Sequence, residues 1–354
     1  MKKISKILII AIVLTLNLEL QTSNLYAQDI HFTMYDAMPL TINPATAGVF
    51  DGNFRAVMNY RSQWGSISNP FKTYSFGIDG GMFKNKWRNG YLGLGLNAFK
   101  DVAGTTDFGT TKINLALSSV VFLNDKNSAS VGLLGSWAQN SLNPNNLQWS
   151  SQFNGQTFDG SLGSNENFAY ENTNYFDFSA GALWAYGKNN KTIGSSDALK
   201  IQAGLAFYHV SRPSQQINFG ELDKLYSKWA FHTESFIGLS NSKLAVKPKL
   251  LVFIQGPARE ISLGTMFRYT LQEKSKYTGA FNGMAIAFGG YYRVGDAIAP
   301  SVELEVAHFA LGVSYDVNTS KLTAATGGAG GYEIYIRFQN PNPFKARGSS
   351  ARFN

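Results

Sequence analysis

From Thr73 to Met82 the chain alternates: Tyr74, Phe76, Ile78, Gly80 and Met82 fall on one parity, Thr73, Ser75, Gly77 and Asp79 on the other. Successive side chains of a strand point to opposite faces, so this stretch reads as a strand with one apolar and one polar face. The pattern recurs. Phe54, Ala56, Met58 and Tyr60 oppose Asn53, Arg55, Asn59 and Arg61, and Leu92, Leu94, Leu96 and Ala98 oppose Tyr91, Gly93, Gly95 and Asn97. Ile113, Leu115, Leu117 and Val121 oppose Lys112, Asn114 and Ser118. Counting on through Val131–Trp137, Tyr175–Tyr186, Leu199–His209, Trp229–Leu239, Leu244–Ile254, Ile261–Tyr269, Met284–Tyr292, Ser301–Ala307, Phe309–Val317 and Gly331–Phe338 gives about fourteen such segments, most near the length that crosses a bilayer at a tilt.

So many half-apolar strands need either one large shared core or lipid. Three features favour lipid. Mid-strand charges sit on the polar parity, at Asp79, Lys112, Asp177, Lys200, Glu234, Lys247, Lys249, Glu303 and Glu305. Glycines repeat on the same parity, at Gly77, Gly93, Gly95, Gly181 and Gly204, which suits the crowded inside of a curved wall. Tyr60, Tyr186, Trp229, Tyr269 and Tyr291 lie toward strand ends, where a headgroup girdle would hold them. Closure also removes the exposed edges that an open sheet would have to protect. The expected fold is all-β: a transmembrane antiparallel barrel over residues 51–340, entered by an extended N-terminal arm over 28–50 and interrupted by one long aperiodic loop, Ser141–Asn172.

Composition agrees. Charged residues are 15%, aromatics 14%, and 35 glycines accompany only 10 prolines, a strand-rich and turn-rich usage. The N-terminus pairs MKKISK with the apolar run ILIIAIVLTLNL and ends LYA before Gln28, so residues 1–27 read as a removed signal peptide and the product as exported. No later run is apolar enough for a helical span. There is no cysteine for a disulfide or a lipid anchor. The net charge of +8, some of it on Lys345, Arg347 and Arg352 of a polar tail over 341–354, suits a basic solvated surface, lipid phosphates or an acidic partner. Nucleic acid is a poor match for an exported chain.

Motifs for chemistry fail on context. GLGLNA at Gly93–Ala98 fits a dinucleotide fingerprint formally, but its glycines lie inside an alternating strand with no helix following. His31, His209, His232 and His308 are dispersed, with no cysteine to complete a zinc site. No GxSxG elbow occurs. Glu303 and Glu305 share a strand face, where lumen carboxylates beside Lys and Arg are the commoner reading, and the oxygen-rich loop Asn154–Asn167 lacks a spaced calcium pattern. No catalytic, cofactor or metal residue is expected, and the chain is not expected to be an enzyme.

Four stretches remain unexplained by catalysis: INPATAG after QDIHFTMYDAMPLT, YRSQW, FYHVSRP, and GVSYDVNTSKL with the glycine-rich approach to YEI. Their order and spacing from Gln28 to Phe338 resemble the PorP/SprF family of type IX secretion system membrane proteins. Where many relatives have Ser-His-Glu before the last strand, this chain has Gly331, Tyr332 and Glu333. The resemblance implies an outer-membrane protein that supports export, or holds a secreted protein such as a large gliding adhesin at the cell surface. The implied partners are that substrate's C-terminal domain, other secretion components and outer-membrane lipid. Carried onto this chain, it singles out Asn43, Pro44, Tyr60, Arg61, Gln63, Trp64, His209, Arg212, Pro213, Tyr315, Asp316 and Glu333, each with turn geometry or interior packing as the plainer role. A pore for small solutes and a soluble periplasmic binding protein remain as alternatives.

Overall fold

The computed structural model describes residues 29–340 apart from 68, 85, 105–106, 144–146, 166–171, 189–197, 219–220 and 273–282. The expected signal peptide (1–27) and polar tail (341–354) lie outside the described residues. Sixteen strands follow in chain order: β1 (Phe54–Gln63), β2 (Phe71–Met82), β3 (Gly90–Ala103), β4 (Phe108–Phe122), β5 (Asn127–Ser141), β6 (Thr173–Lys188), β7 (Leu199–Tyr208), β8 (Ser214–Asn218), β9 (Glu221–Lys224), β10 (Lys228–Gly238), β11 (Leu244–Gln255), β12 (Ala258–Gln272), β13 (Met284–Arg293), β14 (Ala297–Val306), β15 (Phe309–Asn318) and β16 (Ala329–Asn340). All but β8 and β9 form one closed antiparallel barrel of fourteen strands, each paired with its sequence neighbours. β1 closes against β16 in the register Phe54↔Asn340 to Gln63↔Gly331. β8 and β9 pair only with each other, as a small hairpin between β7 and β10 that the alternation does not announce.

The parities point as expected. Met58 is 58% exposed between Val57 and Asn59 at 4% each, and the apolar set of every barrel strand faces outward in the same way. Tyr291 is the exception to the girdle reading: it is buried inside, and its neighbour Tyr292 is the outward residue. The alternation itself favours Tyr292, since Met284, Ile286 and Phe288 share its parity and Tyr291 falls with Ala285, Ala287 and Gly289.

The barrel's core is the chain's own arm. Phe32, Met34, Tyr35, Ala37, Met38, Leu40 and Ile42 are buried against wall residues that include Val57, Leu134, Leu251 and Met266. The arm is not extended along its length. It makes three 3-10 turns, Tyr35–Ala37, Pro39–Thr41 and Pro44–Thr46. Two of these begin with proline, whose fixed φ and missing N–H suit a first helical position. The Asn43 side chain caps the third by accepting the Ala45 N–H at 2.9 Å. Geometry requires some such coiling, because residues 29–50 fully extended would run about 70 Å, well beyond the height of a barrel wall.

The two rims differ. β1 starts and β16 ends at one, with short turns such as 123–126, 239–243 and 307–308. The other carries the connections 142–172 and 209–227.

Candidate functional site

The candidate site is the cradle that the barrel interior makes for the arm. At the long-connection rim lies Asp29, the second residue after the expected leader. Its Oδ2 lies 2.8 Å from His209 Nε2 and 2.8 Å from Lys228 Nζ, and its N–H donates to Gln255 Oε1 at 3.2 Å. The other His209 nitrogen is 2.8 Å from Asp177, which also pairs with Lys112 at 3.2 Å. Burial works against a charged imidazole, and the carboxylates of Asp29 and Asp177 overcome it, so His209 titrates above its ordinary value. Burial works against the Asp29 carboxylate as well, and His209 and Lys228 hold it well below the usual range. This latch is an alternating chain of charges in which each ion has an opposite neighbour.

One turn further along the arm, Thr33 is gripped by three strands. Its hydroxyl donates to Asp316 at 2.8 Å, and Asp316 in turn accepts from Arg61 at 2.9 Å and Arg293 at 2.8 Å. Arg61 also donates to the His31 carbonyl. Glu333 accepts the backbone N–H groups of Thr33 at 2.6 Å and Met34 at 3.1 Å, with Asn59 at 2.9 Å alongside. A carboxylate taking two backbone N–H groups gives an irregular segment the satisfaction it lacks from secondary structure.

Deeper in the barrel, Asp36 pairs with Lys249 at 2.6 Å and accepts from the Tyr291 hydroxyl at 2.8 Å. Asn43 donates to the Ala182 carbonyl at 2.9 Å and lies 3.1 Å from His232 Nε2. Toward the terminal rim the Gly48 N–H donates to Asp79 at 2.8 Å, and Arg55 holds Asp79 with two bonds of 2.9 Å. Ser118 donates to the Ala47 carbonyl at 2.7 Å.

Wall glycines make room for this path. A Cβ on Gly93 would sit 2.0 Å from the Ala47 oxygen, one on Gly132 2.5 Å from the Ala45 nitrogen, and one on Gly181 2.1 Å from Asn43 Oδ1. The repetition of glycine on the inward parity therefore answers to close approach of a second backbone as well as to curvature.

The residues singled out in the sequence divide into two groups. Asn43 and Pro44 lie in the arm, and Arg61, His209, Asp316 and Glu333 converge on it. The others do not. Tyr60 faces outward, 5.0 Å from the Tyr74 ring and 5.8 Å from the Tyr332 ring, and Tyr315 is likewise exposed on the outer face. Gln63 ends β1, and Trp64 turns the chain with φ +56°, its ring 5.0 Å from Phe71 and its N–H on the Gly330 carbonyl at 2.8 Å. Arg212 is exposed with φ +45°, and the Pro213 carbonyl accepts the Leu225 N–H at 3.0 Å, closing the connection that carries β8 and β9. Asp29, Asp36, Lys228 and Arg293 belong to the cradle and were not singled out. Part of their signal was available: residues 29–50 contain Asp29 and Asp36 but no Lys or Arg, so acids of the arm can meet only basic residues of the wall, such as Lys228 and Lys249. No group of His, Asp or Glu among the described residues is arranged to hold a metal ion.

Residues 24–338 match the family described as "Type IX secretion system membrane protein PorP/SprF". The chain belongs to the PorP/SprF family. Among curated proteins nothing matches it. Solved structures similar to this PorP/SprF chain include the CymD monoaromatic hydrocarbon channel, with a TM-score of 0.45 and 12% identity over 88% of this chain and 94% of that one. The toluene transporter TodX of P. putida gives a TM-score of 0.42 and 11% identity over 85% and 93%, and the NanC porin 0.37 and 9% over 81% and 99%. Likeness at this level carries no information on what the PorP/SprF chain binds or conducts.

Proposed function

We propose that this protein is a closed, non-enzymatic outer-membrane barrel that supports export or cell-surface attachment of a type IX secreted protein, such as a large gliding adhesin, by presenting its rims and outer wall rather than by passing cargo through its lumen. The observation that carries this reading is the arm. A segment whose apolar side chains form the barrel core and whose acids pair with buried wall cations occupies the space a conduit would need. Family membership supports the link to secretion, and the resemblance supports the C-terminal domain of a surface protein as partner. Of the family-like positions, Asn43, Pro44, Arg61, His209, Asp316 and Glu333 serve to hold the arm. Gln63, Trp64, Arg212 and Pro213, all at the long-connection rim, are the positions open to a partner.

The test has two arms. Purified full-length protein in planar bilayers stays closed, and a steady open conductance would replace this reading with a solute pore. In cells, Trp64→Ala combined with Arg212→Glu lowers surface display of the partner while the barrel keeps its heat-modifiable folded form. Unchanged display would remove the rim from the proposal.

A further inference from the structure

The arm has a direction. At one end Lys84, in the turn after β2, donates to the Phe50 and Gly52 carbonyls at 3.4 and 2.7 Å. From there toward the N-terminus its partners move steadily across the wall: Asp79 near the end of β2 for Gly48, Ala182 for Asn43, Lys249 for Asp36, then Asp316 and Glu333 for Thr33. Asp29 meets Gln255, the last residue of β11, Lys228, the first of β10, and His209, just past β7. Those three positions belong to the opposite rim. The arm crosses the whole barrel and ends where the connections 142–172 and 209–227 leave it.

Outer-membrane barrels carry short turns on the periplasmic side and longer loops outside. Here the two longest connections, 142–172 and 209–227, leave the rim opposite the start of β1 and the end of β16. We infer that the processed amino terminus lies at the cell surface, delivered there through the barrel, although the strand that follows the arm begins on the periplasmic side. Asp29 fits such a place: its side chain is 25% exposed. Beside it a cavity of about 20 Å³ is lined by Lys228, Gln255, Arg259 and Glu260. The ionic latch then acts as a terminal clamp, fixing the first residues of the chain as part of the outward face. An order of events also follows. A leader still attached ahead of Asp29 would have to pass through the barrel, so its removal precedes seating of the arm.

This inference rests on the barrel lying in the outer membrane with its long connections outward, and the experiment separates the two. An epitope is inserted between Ala27 and Gln28. In parallel, because the chain lacks cysteine, single thiols are placed by Gln156→Cys in the 142–172 connection and Lys126→Cys in the opposite turn. In intact cells, antibody binds the epitope and an impermeant maleimide labels Gln156→Cys, while Lys126→Cys is labelled only after permeabilisation. An epitope that is hidden until permeabilisation, with both thiols behaving as stated, overturns the inference and leaves the orientation standing. Reversal of both thiols overturns the orientation and the inference with it. If the insertion prevents folding, Gln28→Cys reports on the terminus itself: labelling in intact cells upholds the inference, and labelling only after permeabilisation, with Gln156→Cys labelled from outside, overturns it.

Discussion

A side chain on Gly132 would meet backbone, the Ala45 nitrogen and the Pro44 carbonyl carbon each at 2.5 Å, so the arm rather than a flexible side chain must move. Overpacking of this kind costs about 1–3 kcal/mol. Gly132→Val is expected to leave the wall folded but loosen the arm, seen as chymotryptic cleavage at Phe32 or Tyr35, sites buried in the parent. Trypsin would not report it, since residues 29–50 contain no Lys or Arg. The latch at Asp29 makes a second prediction. Asp29 is depressed, so its contribution is present above the ordinary carboxylate value of about 3.9 and is lost as pH falls through the lowered one. His209 is elevated, so its contribution is complete below about 6.5 and is lost as pH rises through the raised value. The first residues of the arm are held best between those two limits. Amide exchange at Ile30–Thr33, corrected for its intrinsic pH dependence, should accelerate toward alkaline pH, and His209→Gln should flatten that limb. At this scale the sequence showed the charges on the inward parity, and the resemblance marked His209, Asp316 and Glu333. It could not show that their partner is the arm, because those contacts join residues from opposite ends of the chain and leave no local spacing to read.

Among the elements, β14 shows what alternation can and cannot reveal. Read from the sequence, the strand begins at Ser301, because Pro300 interrupts the pattern. In the barrel it begins at Ala297. The interruption is real but narrow: β14 and β15 pair at Ile298↔Val317 and again at Ser301↔Ser314, and lose the two pairs between. Proline has no N–H to donate to the Tyr315 carbonyl opposite it, while the pairing of Pro300 with Gly290 on the other side persists. Pro248 breaks the β10–β11 ladder in the same way, opposite Ser235. A closed barrel has no edge strand in which to place such residues, and an unmet carbonyl in a lipid-facing wall is unfavourable. Pro300→Val should restore the donor and stabilise the barrel by about 0.5–1.5 kcal/mol, read as a higher temperature for conversion of the folded band on heating in detergent. No rise would mean that the Tyr315 carbonyl already has another donor. The arm's first two 3-10 turns and the β8–β9 hairpin escaped the sequence reading for a related reason, whereas the Asn43-Pro44 pair marks the third, with Asn43 extended before it. Segments this short carry too few residues for a period, and only Pro39 hints at the first two turns.

For the whole molecule, closure of the wall and filling of its interior are separate problems, and the sequence solves them in separate places. The strands provide the wall through parity alone. Twenty or so residues ahead of them provide the core, with acids matched to individual lysines of the wall: Asp29 to Lys228, Asp36 to Lys249. Removing the arm would leave Lys228 and Lys249 without their carboxylate partners in a space too polar to stay dry, while Arg61 and Arg293 keep Asp316, and uncompensated buried charge costs several kcal/mol per ion. Water must enter, so the barrel either opens or unfolds. A variant lacking Asp29–Ala47, with the leader kept and heat-modifiability used to select folded protein, is therefore expected to conduct in planar bilayers, through a lumen lined by charges of both signs. A synthetic peptide of residues 28–48 should close it again, and more readily from the terminal-rim side if the start of the arm must pass through the lumen to reach its latch. A folded, arm-less barrel that stays closed would show that side chains of the wall alone can fill the lumen, and the proposal that the arm keeps this barrel from acting as a conduit would fall.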